Sequence, residues 1–116
     1  MTTIAALFNP VFEADVQESL EHLIAVALRD THQSSYIANF LLSWWNSPVC
    51  GGFDLTDLWG VDDELCAHVL LVFGFAAARR AYPDALGYKA QFDRIVALHR
   101  PHLVSTRRGS LPPLVV

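Results

Sequence analysis

From Val69 to Ala78 the chain carries ten residues in a row without a charged or hydrogen-bonding side chain. The run falls short of the ~18 residues a membrane span needs. Asp62, Asp63 and Glu64 precede it and Arg79 and Arg80 follow it, the charge order that a helix dipole favours. The segment Asp63–Ala81 therefore reads as a helix, with Asp62 as its N-cap and Tyr82-Pro83-Asp84 as its stop. Leu65, Val69, Leu70, Leu71, Val72, Phe73 and Phe75 leave it apolar nearly all round, and such a helix is expected at the centre of a domain.

The flanking segments repeat the helical period. Phe12, Val16, Leu20, Leu23, Ile24, Ala27 and Leu28 form one stripe of a helix from Phe12 to Arg29, with Glu13, Asp15, Glu18 and Glu21 on the other face. Asp30-Thr31 caps a second helix that starts at His32 or Ser34 and runs to Trp45; Asn46 suits its end and Pro48 blocks continuation. Residues 46–53 read as a loop, with Gly51-Gly52 supplying backbone freedom. Asp54-Leu55-Thr56-Asp57 resembles a capping box, in which Asp57 reaches back, and opens a short helical turn through Trp59. A last helix spans Tyr88–His99, with Phe92, Ile95, Val96 and His99 on one face, and Pro101 ends it. The expected fold is all-α: a compact bundle of about four main helices plus the turn at 54–59, in one domain over 1–101, with an extended tail over 102–116.

At 116 residues, 53% hydrophobic and 17% charged, the chain is far from disordered composition, and its apolar excess suits cover by a partner or a second copy. The N-terminus lacks the basic start of a secretory signal, so a cytoplasmic location is expected. Cys50 and Cys66 then read as free thiols. Net charge is −4 and unevenly spread: residues 1–64 hold ten acids and one arginine, residues 65–116 seven bases and two acids. That asymmetry suits electrostatic steering, or simply a solvated acidic face.

Signatures of catalysis are missing. Ser34, Ser35 and Ser43 lack a nucleophile elbow, and Cys66 and His68 are two apart on a helix, so they face different ways. His22, His32, His68, His99 and His102 form neither His-x3-His nor His-Glu-x-x-His; His68 reads as a hydrogen-bonded core residue. Asp54, Asp57, Asp62, Asp63 and Glu64 do not match a calcium loop, and helix capping explains three of them, so no metal and no cofactor is expected. Arg79, Arg80, Arg94, Arg100, Arg107 and Arg108 could touch nucleic acid, but helix-end arginines are common and the overall charge is negative.

Trp44, Trp45 and Trp59 draw the functional reading. Adjacent tryptophans on a helix point about 100° apart, so one belongs to the core and the other is partly exposed or lies under the 51–59 loop. Tryptophan is enriched among the residues that dominate interfaces, although aromatics near a loop more often clamp it in place.

Four strings carry a resemblance: Asp30-Thr31-x-Gln33-Ser34; Ala38-x-Phe40-Leu41-Leu42-x-Trp44-Trp45-Asn46; Gly51-Gly52-Phe53-Asp54-Leu55-Thr56-Asp57-Leu58-Trp59-x-Val61-Asp62; and Tyr82-Pro83-Asp84-x-Leu86-Gly87-Tyr88. Over residues 30–101 the chain resembles a family of small uncharacterised bacterial proteins of proteobacterial genomes and their integrative mobile elements. The resemblance implies no chemistry. A mobile-element setting would favour an accessory or inhibitory protein, anti-CRISPR proteins among them.

The expected role is therefore non-catalytic binding of a protein partner through Trp45, Asn46, Phe53, Asp54, Asp57, Trp59, Asp62 and Asp63. Three alternatives stand beside it. One is an anti-CRISPR or anti-defence inhibitor whose acids mimic nucleic acid. Another is a nucleic-acid binder using Arg94, Arg100, Arg107 and Arg108. The third is a small enzyme with a pocket among Asp30, Gln33, Asn39, Asn46 and Asp54. A homodimer is compatible with each, and membrane insertion with none.

Overall fold

The computed structural model describes residues 14–105. Among these residues five α-helices follow one another: α1 (Ala14–Ala27), α2 (His32–Cys50), α3 (Asp63–Arg79), α4 (Lys89–His99) and the short α5 (His102–Ser105), with 3-10 turns at Leu55–Gly60 and Pro83–Leu86. There is no strand among the described residues, so the all-α expectation holds. The expected start of the first helix at Phe12 and the tail beyond Ser105 lie outside the described residues. Residues 102–105, expected to be extended, form a helical turn instead, because Pro101 occupies the first position of a new turn as well as ending the old one.

The caps follow the sequence. Thr31 accepts from the Ser34 N–H, Asp54 from Thr56 and Asp62 from Leu65. Asp57 departs from the capping-box expectation: its carboxylate accepts from Asn39 Nδ2 at 3.3 Å, so it ties the turn to α2 rather than to its own cap. The break at Asn46 is real (φ −161°, ψ 72°), yet the chain turns helical again through Pro48 to Cys50. Proline lacks the N–H that a first turn leaves unpaired, so Pro48 starts this turn at little cost. The loop expected over 46–53 thus begins only at Gly51, whose φ of 99° is open to glycine.

α1 and α2 form the centre. α1 lies against α2, α3 and α4, and α2 against α1, α4 and the Leu55–Gly60 turn. Leu20, Leu23, Ile37, Leu41, Leu42, Trp45, Val69, Val72, Phe92, Ile95 and Val96 are fully buried between them. The expectation that α3 is central is wrong. It buries Leu65, Val69, Val72 and Phe75 on one stripe and leaves Leu70 (56% exposed), Leu71 and Phe73 (54%) uncovered by the described residues. A bundle this small has two helical layers, so an edge helix has only one side to pack. No helix among the described residues is long and apolar enough to cross a membrane.

Candidate functional site

One stripe of α2 carries the acidic turn. Gln33 Oε1 accepts from the Asp62 N–H at 2.7 Å, Asn39 donates to Asp57, and the Tyr36 ring lies on Gly60, where an added Cβ would come within 2.5 Å of Tyr36 Cε2. These three residues recur at three-residue spacing, so one helix face presents all of them. Phe53 packs edge-on against Phe40, ring centres 5.4 Å apart. Asn39 also accepts from Arg100 Nη2 at 2.7 Å, while Arg100 Nε donates to the Cys50 carbonyl at 2.8 Å. Arg100 is therefore a clamp across α2, its guanidinium engaged with protein groups rather than turned toward nucleic acid.

The tryptophans separate into two roles. Trp45 is 1% exposed; its indole N–H donates to Asp84 Oδ1 at 2.7 Å and its ring meets Phe92 edge-on. Trp44, half-buried, donates to the Ala81 carbonyl at 3.0 Å and also abuts Phe92. Both indole N–H groups fasten the α3–α4 connection. Trp59, by contrast, stands 85% exposed.

Of the eight residues expected to meet a partner, Trp45 and Asn46 must be withdrawn. Both are buried, and the Asn46 amide lies in the interior with no hydrogen-bond partner among the described residues. The helical break turns Asn46 inward instead of onto the loop surface. Phe53 and Asp57 are half-buried, whereas Asp54, Trp59, Asp62 and Asp63 are exposed. The Asp54 carboxyl is held below the usual carboxylate range by the backbone N–H and then the hydroxyl of Thr56. Of the polar residues suggested for an enzyme pocket, Gln33, Asn39 and Asp54 are engaged in hydrogen bonds that hold the turn, and Asn46 lies in the interior.

What the sequence reading missed is a groove of about 510 Å³ between α2, residues 52–55 and α3. Phe40, Trp44, Phe53, Leu55, Phe73, Ala76 and Ala77 line it, with Ser43, Ser47 and Gly52 at its edge. Leu55 (67% exposed) and Phe73 extend the apolar surface beyond its mouth. Its signal was present in the surplus of apolar positions on α3, more than one buried stripe can use.

The architecture is thus a small all-α protein with an apolar groove beside an acidic turn. The chain belongs to a family of unknown function (DUF7673), whose model matches residues 17–100. Neither a curated protein nor a solved structure matches it.

Proposed function

We propose that this is a non-catalytic, protein-binding accessory protein, and that its partner lays an apolar helix flanked by lysine or arginine into the groove between α2 and α3. The observation that carries this reading is the company the groove keeps. Residues 30–78, which build it, contain six acids and not one lysine or arginine. Large exposed apolar surface rimmed by polar groups is typical of interaction sites, and a groove between helices suits an amphipathic helix. The acids at 54, 57, 62 and 63 would set orientation and on-rate, while Leu55, Phe73, Phe53 and Trp59 would supply buried area.

The test compares captures from cells of the source organism by the wild-type chain, Phe73→Asp, Leu55→Asp and the quadruple Asp54→Asn/Asp57→Asn/Asp62→Asn/Asp63→Asn variant. The expected result is a partner held by wild type, lost from both apolar variants and weakened by neutralisation. Retention by the apolar variants but loss on neutralisation and at raised salt would replace this reading with the anti-defence one, in which the acids alone mimic nucleic acid. Light scattering that finds a dimer broken by Phe73→Asp would assign the groove to a second copy. Enrichment of nucleic acid would overturn the proposal outright.

A further inference from the structure

Away from the groove, α1 and α3 bring together three side chains that no motif connects: His22, Glu64 and His68. One donor atom from each lies within 4.8 Å of the other two. The two imidazoles sit 4.8 Å apart between ring centres, tilted by 46°. Glu64 is one turn before His68 on α3, with Oε1 3.9 Å from His68 Nε2. The second nitrogen of His68 is already in use: Nδ1 is 2.7 Å from the hydroxyl of Ser19, itself only 3% exposed.

The geometry points to a binding site for a divalent transition-metal ion of the zinc type, with His22, Glu64 and His68 as ligands and Ser19 as the residue that positions His68. Imidazole and carboxylate together suit Zn²⁺, Co²⁺ and Ni²⁺. A tetrahedral zinc site separates neighbouring ligand atoms by about 3.4 Å, so the donors must close by about 1.4 Å at most. His22 and Glu64 are surface side chains on rigid helices, and rotation about their own bonds covers that distance. The Ser19 contact matters because a metal-bound histidine donates its other N–H to a fixed acceptor. With Nδ1–H donated to Ser19 Oγ, the lone pair of His68 Nε2 faces Glu64. Three protein ligands leave a position for water or for a small anion. His22 and Glu64 also line a cleft of about 230 Å³ that includes Arg29 and Gln33, which gives such a ligand a place beside the ion.

Calorimetric titration of the full chain with zinc chloride, in a reducing buffer near neutral pH, tests the site. Cobalt(II) chloride supplies an independent absorption signature of the ligand geometry. One equivalent should bind. His22→Asn and Glu64→Gln, both surface changes, should weaken binding by more than about tenfold, and Ser19→Ala by about 10–100-fold with stoichiometry kept. Cys66→Ser, His32→Asn and Phe73→Asp should bind as wild type does, the last separating this site from the groove. Absence of binding by the folded wild type, or binding that survives His22→Asn and Glu64→Gln but is lost in Cys66→Ser, would overturn the assignment.

Discussion

The indole N–H of Trp45 and the carboxylate of Asp84 meet at 2.7 Å, thirty-nine residues apart, and close the α3–α4 connection onto the core. The indole lies in the interior against Phe92, so a donor left there without its acceptor loses hydration with no replacement. Asp84→Ala should therefore lower unfolding free energy by about 1–3 kcal/mol. Trp45→Ala adds a cavity and should cost about 3–5 kcal/mol, much of the stability such a domain has. Urea unfolding followed by circular dichroism measures both. A loss under half a kilocalorie for Asp84→Ala would show that the contact is not held in solution.

Trp59 is expected to behave in the opposite way. At 85% exposure it contributes little to the core, and Trp59→Ala should shift stability by no more than about 0.5 kcal/mol. Quenching by iodide should remove most of the Trp59 emission and little of that from Trp45. If Trp59→Ala unfolds the chain, the surface assigned to a partner is packing surface instead.

How far the sequence carries can be judged from these residues. Helix ends were readable because Thr31, Asp54 and Asp62 cap by local hydrogen bonds, and local spacing is what a sequence displays. The adjacent tryptophans declared that only one could be fully buried, but not which, since that depends on Phe92 and Asp84 far along the chain. The apolar run of α3 suggests a central helix, yet the described residues leave one side of it uncovered, because hydrophobicity records the amount of apolar surface and not whether a neighbour covers it. His22 and His68 stand forty-six residues apart on different helices, and Glu64 with His68 alone supplies only two of the three ligands. Groove and cluster are both products of tertiary packing, where periodicity is silent.

Gly60 is a position where the backbone needs a missing side chain. The Tyr36 ring occupies the space a Cβ would take, so Gly60→Ala must push the ring or the turn aside. A loss of about 1–3 kcal/mol is expected for such overpacking. Combining it with Tyr36→Ala should recover part of that loss relative to Tyr36→Ala alone, a coupling that a double-mutant cycle reads directly. Additive effects would show that the turn does not rest on this ring.

Tyr88 and Glu21 give the fold a dependence on alkali. The phenol donates to Glu21 Oε2 at 2.6 Å, and burial first, then this carboxylate, push the Tyr88 pKa up to about 12. Glu21 is correspondingly held below its ordinary value by the Tyr88 hydroxyl and then Gln17. The two linkages have opposite signs. Tyr88 is neutral in its favoured form, so its contribution is complete below the unfolded phenol pKa of about 10 and is lost as pH rises toward about 12. Glu21 is favoured ionised, so its contribution is present above the unfolded carboxyl pKa and falls away in acid. Melting temperature should decline between pH 10 and 12 more steeply in the wild type than in Tyr88→Phe, which has no phenol to ionise. Tyr88→Phe should lie below wild type near neutral pH and approach it in strong alkali. Parallel curves across that range would mean that Tyr88 ionises as freely in the folded chain as in the unfolded one, and that the contact with Glu21 does not join α1 to the start of α4.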